Sequence, residues 1–411
     1  MDIIRPEVLA PAGDAERLKA AVYYGADAVY MAGTRFGMRA AATNFDDNAL
    51  REGIAYAHAH GVKCYITVNI MPSNRDLPAL PAYLELLQDA GADALIIADV
   101  GVLRMARRYA PKVPVHISTQ TSILNHEAAN YWADEGAERI VLARELSLEE
   151  IAEIRAKTPK ELEIEAFVHG AMCISYSGRC LISQYMTGRD ANHGACAQPC
   201  RWNYSLMEEK RPGQFFPVEE DGRGTYLYNS KDMCMIEHVP ELIEAGITSF
   251  KIEGRNKTAY YAACVTGAYR AAIDTYKKDP ENFVLPQFCR DEVNKVSHRE
   301  YYTGFYFGNQ ENGQHYGDSQ YIREYEVVGM PVECDDSGKA VFALKNRFFD
   351  GEELELIQPG QAPYVFRAEN VTDDEGTKRE LFNVPQMRVH FVFPFKVSEW
   401  AILRKAKERP E

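Results

Sequence analysis

The sequence predicts an α/β fold, a (β/α)8 TIM-like barrel carrying a long cysteine-bearing insertion and followed by a small C-terminal antiparallel β-barrel domain. Three observations predict it. A unit of amphipathic helix, Gly and short apolar run recurs along the first part of the chain, the runs suitable for strands number eight, and from about Tyr321 the pattern changes to alternation. Its 411 residues exceed the usual size of one compact domain. The expected divisions are 1–285 for the barrel with its insertion at about 170–235, 286–320 for a linker and 321–411 for the β domain.

The repeating junctions include Tyr24-Gly25-Ala26-Asp27-Ala28-Val29-Tyr30, Ala90-Gly91-Ala92-Asp93-Ala94-Leu95-Ile96 and Ala245-Gly246-Ile247-Thr248-Ser249-Phe250. Gly suits the left-handed residue that ends a helix, and the apolar run after it suits a strand buried on both faces. Strands are expected near 7–10, 27–32, 63–69, 93–98, 114–118, 138–143, 162–168 and 248–253. Between them, Leu18, Ala21, Val22 and Gly25 follow helical spacing, as do Leu80, Tyr83, Leu84 and Leu87. Asp14 and Ser147 stand where helix N-caps are wanted, the latter with Glu150 as a capping box. Eight strands alternating with helices favour a closed barrel. The order breaks between 170 and 230, after the seventh strand, which places the insertion at the carboxyl rim where active sites gather. A helix is expected over Thr258–Lys278, and then short alternating runs such as Lys339–Leu344, Glu353–Ile357 and Arg388–Val392.

The formal charge of −14 opposes general adsorption to nucleic acid or anionic lipid. Arg104, Arg107 and Arg108 form one local basic run, and Arg404, Lys405, Lys407 and Arg409 another; both read first as solvated helix faces. The start lacks a basic segment followed by an apolar run, and nowhere do eighteen uncharged apolar residues occur together, so a cytoplasmic protein without membrane contact is expected. Nine cysteines, an odd number in a chain of this size, argue against a disulfide framework. Cys64, Cys264, Cys289 and Cys334 are scattered, as buried packing residues would be.

Cys173, Cys180, Cys196, Cys200 and Cys234 are grouped. Thiolate ligation of a soft metal or cluster is their natural functional reading, with zinc held by four thiolates and plain buried thiols as the alternatives. No C-x-x-C knuckle is present, so the usual structural zinc pattern is missing. Strand-end residues could surround them with a polar pocket: His116 and Gln120 after the fifth strand, Glu165 and His169 at the seventh, Lys251, Glu253 and Arg255 at the eighth. His169, Glu165 and Glu253 are the candidates for proton handling. Lys251 and Arg255, with His116 and Gln120, are the candidates for holding substrate, the two cations for a carboxylate.

The segments EVLAPAGDAERLKAAVYYGADAVYMAG, E-x-F-V-H-G-A-M-C-I-S-Y-S-G-R-C and KIEGRNKTAYYAACVTGAYRAAID resemble the collagenase-like peptidases of unknown catalytic mechanism, a family whose relatives include proteins of RNA hydroxylation. The resemblance covers about the first 280 residues, and NSKDMCMIEHVPELIEAGI with the C-terminal β domain resembles the tRNA hydroxylation branch. It departs at Ala191, where the family often has Pro, and at Asn256, where it often has Met. The resemblance implies a part in making 5-hydroxyuridine at the tRNA wobble position, with prephenate as a required metabolite. It also implies a 4Fe-4S cluster on Cys173, Cys180, Cys196 and Cys234, with Cys200 as an alternative ligand. The tRNA would then rest on the β domain and on a basic C-terminal helix bearing Arg404, Lys405 and Lys407.

Two other functions compete. A peptidase finds little support: His126-Glu127 lacks the second His of H-E-x-x-H, Ser175 and Ser177 lie outside any G-x-S-x-G, and only a Cys173–His169 dyad remains. The other is a cluster-bearing partner subunit whose companion protein performs the hydroxylation.

Overall fold

The structure is a computed structural model that describes residues 5–38, 43–173, 175–176, 179–202, 230–308 and 321–407, with short backbone pieces at 206–207, 215–216, 220–221 and 224–225. Seven strands, β1 (Glu7–Pro11), β2 (Ala28–Met31), β3 (Lys63–Val68), β4 (Ala94–Ile97), β5 (Val115–Ile117), β6 (Arg139–Val141) and β7 (Glu163–Ala171), pair in parallel in chain order. An eighth, Ser249–Ile252, pairs in parallel with both β1 and β7 and closes the barrel. The helices expected from the periodicity are present. α1 (Ala15–Tyr23) is capped by the Asp14 carboxylate, which accepts from the Arg17 amide at 2.9 Å, and Leu148–Ala156 begins with the Ser147–Glu150 capping box. The junction glycines adopt positive φ, 94° at Gly25 and 86° at Gly246.

β7 outruns the barrel. Its first half pairs with Ser249–Ile252, whereas 169–171 pair antiparallel with Asp232–Cys234, a strand that lies parallel to Tyr301–Tyr302. Gly170 permits the turn between the two neighbours at φ 107°, because a Cβ there would stand 2.4 Å from the Glu253 carbonyl oxygen. The segment 286–320, expected as a linker, contributes a helix, Gln287–Lys295, and Tyr301–Tyr302, and buries Cys289, Val293 and Val296 in the main core.

Inside the barrel, a small apolar cluster of Leu9, Ala28, Tyr30, Tyr65, Ala94 and Ile96 shares the lumen with charges. Arg139 of β6 donates to Glu7 of β1 at 2.6 Å and to Glu165 of β7 at 3.1 Å, and Lys251 holds the other Glu165 oxygen at 2.6 Å. Tyr65 and Ser249 donate to Glu7 at 2.6 and 2.9 Å. Arg139 also donates to the half-exposed Glu163 at 2.7 Å, so the two enclosed carboxylates, Glu7 and Glu165, are held by two cations, the condition for burying ions at tolerable cost. Burial would raise the Glu7 carboxyl, but Arg139 and these hydrogen bonds hold it below the ordinary carboxylate range. His116 of β5 is also buried here, edge-on to Tyr65 with ring centroids 4.6 Å apart. Burial, then the nearby Arg139 and Lys251, push its pKa well below the ordinary value, and its Nδ1 has no hydrogen-bond partner among the described residues.

The C-terminal domain is a seven-stranded antiparallel sheet in the order Tyr364–Arg367, Glu353–Ile357, Ile402–Ala406, Tyr325–Cys334, Lys339–Leu344, Arg388–Val392, Thr372–Asp373. It has its own core around Phe342, Phe348, Phe382 and Leu403. The expected basic C-terminal helix is replaced by the strand Ile402–Ala406, both faces of which are covered. Arg404 has no exposed side-chain surface; it donates to Glu355 at 2.6 Å and to Glu292, on the barrel side, at 2.6 Å. Lys405 is 7% exposed and pairs with Glu352 at 2.9 Å. These cations therefore serve the fold, with neighbouring carboxylates taking their charge, and the RNA-docking role expected of them is corrected. Of that run, Lys407 is exposed and lies near the cavity described below.

Two outcomes are expected. Arg404→Met leaves Glu292 and Glu355 with less countercharge, so urea unfolding should show a loss of about 3–5 kcal/mol, while Lys378→Met on the exposed surface should change little. Folded His116 resists the proton that unfolded His116 takes up below pH about 6.5, so the stability it contributes is complete above that pH and is lost as pH falls. In His116→Phe the slope of stability against pH between about 6.5 and 5 should flatten by about 1.4 kcal/mol per pH unit; an unchanged slope would contradict the neutral, buried imidazole.

Candidate functional site

A cavity of about 850 Å³ opens at the carboxyl rim of the barrel, between the rim loops, the cysteine-bearing segment and the first strands of the C-terminal domain. Among the described residues eight cations line it, Arg17, Arg144, Lys251, Arg255, Lys257, Arg323, Lys345 and Lys407, against two carboxylates, Glu16 and Glu253. That balance is the reverse of the chain as a whole, whose net charge is −14. Tyrosines 30, 176, 260, 261, 321 and 325 supply aromatic surface to the same walls. Such a site suits an anionic ligand with a flat, stackable part.

The rim loops hold the polar wall in place. Gln120 follows β5 and accepts from Asn69, after β3, at 3.2 Å; Asn69 also donates to Ser118 at 3.3 Å and accepts from the Met38 amide at 3.1 Å. Lys251 reaches the cavity floor with its ammonium 4.7 Å from the Tyr30 ring centroid and its charge answered by Glu165. Arg255, 3% exposed, donates to Thr67 at 3.4 Å. Glu253 lines the cavity beside it, and its carbonyl accepts from Tyr261 at 2.9 Å. Of the seven strand-end residues singled out in the sequence, Gln120, Lys251, Glu253 and Arg255 share the cavity. Glu165 and His116 lie deeper in the lumen, where Glu165 is fully buried in the ion network.

His169 is elsewhere. The register of β7 against the eighth strand shifts between Lys251 and Ile252, so His169 leaves the face that carries Glu165 and Phe167. Its ring is 1% exposed among Tyr261, Tyr269 and Tyr301, with Nδ1 3.5 Å from the Tyr269 hydroxyl and Nε2 3.3 Å from that of Tyr301. Burial, reinforced by His298 and Lys257, lowers its pKa to about 3, which leaves a neutral imidazole of little basicity. Among the described residues no hydrogen bond joins it to Cys173, so the dyad a thiol peptidase needs is not assembled.

Cys173, Cys180, Cys196 and Cys200 all face the cavity, and all nine cysteines are free thiols. Cys234 sits opposite His169 across the strand pair, and burial pushes its thiol up to about 12. Four cysteines in no disulfide, lining one cavity, fit a sulfur-bound metal group in the kind of donor they offer. Among the described residues, no three His, Cys, Asp or Glu side chains converge closely enough to hold an ion. Residues between the second and third cysteines place them through a short helix, Ile182–Thr187, whose Ser183 donates to the Arg189 carbonyl at 2.8 Å and accepts from the Ala197 amide at 3.0 Å.

Sequence reasoning missed Arg144, Lys257, Asn69 and the C-terminal residues Tyr321, Arg323 and Lys345. Arg144 and Asn69 directly follow barrel strands, so the logic that found Gln120 reaches them too. For the C-terminal group no local pattern exists, because their place depends on how two domains meet. The basic run at Arg104–Arg108 keeps its bland reading: Arg107 pairs with Glu135 at 2.9 Å on an exposed helix face. No helix among the described residues is long and apolar enough to cross a membrane.

The family model for peptidase family U32 matches residues 13–316, and the model for the peptidase family U32 C-terminal domain matches 323–404. The chain is 39% identical over 405 residues to tRNA hydroxylation protein P1 of Bacillus subtilis, covering 98% of this chain and 95% of that one. A 23S rRNA 5-hydroxycytidine synthase of Escherichia coli is 39% identical over 334 residues, 80% of this chain and 48% of that one. A collagenase of Porphyromonas gingivalis is 30% identical over 398 residues, 92% and 94% of the two chains. Matched over the barrel and the β domain alike, the chain belongs to peptidase family U32.

Proposed function

We propose that the chain is an RNA-modifying enzyme that hydroxylates tRNA, forming 5-hydroxyuridine at the wobble position, with a small carboxylate metabolite such as prephenate as co-substrate. The observation that carries this reading is one cavity lined by four cysteines in no disulfide and by an excess of cations over carboxylates among the described residues. The names of the Bacillus subtilis and Escherichia coli relatives support RNA hydroxylation as the class of activity. A 4Fe-4S cluster would be held by Cys173, Cys180 and Cys196, with Cys234 or Cys200 as the fourth ligand; zinc is the competing occupant. When bound, such a cluster supplies an electron-transfer or Lewis-acid centre.

The chain's own residues do the rest. Cations at the rim hold phosphates, the cavity tyrosines stack an unpaired base, and Gln120 and Asn69 offer hydrogen bonds to its edge. Glu253 is the carboxylate near the reacting end of the cavity that is suited to hold or pass a proton. The peptidase reading lacks an assembled nucleophile and base. Whether the chain acts alone or with a protein partner is decided by assaying the anaerobically purified chain on tRNA.

The test is nucleoside analysis of tRNA from cells lacking the gene, complemented with wild-type or Cys173→Ala chains, alongside iron and sulfide analysis of anaerobically purified protein. The expected result is loss of 5-hydroxyuridine, its return with wild type only, and about four irons and four sulfides per chain that disappear in the variant. Unchanged 5-hydroxyuridine in the deletion strain would refute the tRNA assignment. Zinc, or no metal, in active protein would refute the cluster. Full activity from the purified chain would exclude an obligatory partner.

A further inference from the structure

Among the cations of the cavity, Arg144 has a distinct setting. It follows β6 at the rim, and its guanidinium lies 3.9 Å from the Phe167 ring centroid. One N–H donates to the Ala171 carbonyl at 2.9 Å, two residues before Cys173. The stacked ring and the hydrogen bond fix both the plane and the direction of the group. Several other cavity cations are answered by carboxylates, Lys251 by Glu165 at 2.6 Å, Lys345 by Glu16 at 3.0 Å and Arg17 by Asp14, while Arg323 lies on the exposed rim with its Nε donating to Ser297 at 3.2 Å. Among the described residues no carboxylate comes within ion-pair distance of Arg144, and its Nε is buried without a hydrogen-bond acceptor. Glu145, its neighbour in the chain, is close enough for its carboxyl to feel the guanidinium but makes no ion pair with it.

A guanidinium held rigid at a partly dry wall, with donor capacity unspent, is completed by a planar oxyanion that accepts two parallel N–H bonds. Lys251, already neutralised, offers much less to such a ligand. We propose that Arg144 is the anchor for a carboxylate of a small di-acid bound in this cavity, holding it beside the cysteine-bearing segment. This rests on the reading of the site as one that uses a small carboxylate metabolite, and it moves the anchor from Lys251 and Arg255 to the guanidinium stacked on Phe167.

The experiment is calorimetric titration of anaerobically purified full-length protein with prephenate, and with malonate as a minimal di-acid. Wild type is compared with Arg144→Gln, Arg144→Lys and the surface control Lys378→Gln, each with its unliganded melting temperature. Arg144→Gln should weaken prephenate binding by about tenfold or more, Arg144→Lys should lose several-fold because it restores charge without the fork, and Lys378→Gln, outside the cavity, should bind as wild type does. Should Arg144→Gln melt early, the Arg144→Lys comparison at native melting temperature carries the test. Wild-type affinity for prephenate in both Arg144 variants would overturn the proposal while leaving the carboxylate reading intact. Retained di-acid binding with weakened binding of an anticodon stem-loop would reassign Arg144 to RNA phosphate and likewise overturn it. Wild type that binds neither di-acid would overturn the proposal and the carboxylate reading together.

Discussion

The buried guanidinium of Arg139 is the interaction on which the site depends. It stands in the middle of the barrel and ties β1 to β7 through Glu7 and Glu165, the two strands that the closing strand must bridge. Lumens of this kind are commonly filled by layers of branched aliphatic side chains. Here the layer is ionic, and its geometry propagates upward: Glu165 bonded to Arg139 on one oxygen can hold Lys251 on the other. Lys251 then stands upright against Tyr30 and Phe167 as part of the cavity floor. An ion network is less forgiving than a greasy layer, since removal of any one member leaves a charge without an answer in a medium that solvates it poorly.

Above that floor, β7 does two jobs with one run of residues. Up to Phe167 it is a barrel strand with Glu165 and Phe167 on the lumen face and Ile164 and Ala166 packed against the helices. After the register shift it becomes the partner of Asp232–Cys234 and delivers the first of the grouped cysteines. The tyrosine cage around His169 packs the outside of this joint, with Tyr269 also accepting from the Met235 amide at 3.0 Å and donating to the Val168 carbonyl at 2.8 Å. His169 thereby helps fix the strand pair that carries Cys234.

Much of this was legible because periodicity and capping are local. The helix–Gly–strand junctions located five of the eight barrel strands and apolar runs the other three, and Ser147 with Glu150 marked a helix start to the residue. Residues at the ends of strands gave four of the cavity's polar groups. Arg404 was misread because its run of charge looks solvated along the chain, whereas its partners Glu355 and Glu292 lie 49 and 112 residues away. His169 was misplaced for a different reason. Simple alternation keeps it on the face of Glu165 and Phe167, and a bulge, which adds one residue to one strand of a pair, is invisible without knowing what the strand pairs with.

The buried Arg404 also bears on how such proteins can be recombined. Its guanidinium is provided by the β domain, while Glu292 and the Tyr260 hydroxyl, 3.0 Å away, come from the barrel's last helices. The two modules are therefore matched parts. A β domain transplanted from a distant relative, with an aliphatic residue in place of the arginine, would strand a carboxylate at the seam, and the cavity wall formed there would be lost with it. Inheritance of the pair as one unit follows from electrostatics alone, before any demand made by the chemistry.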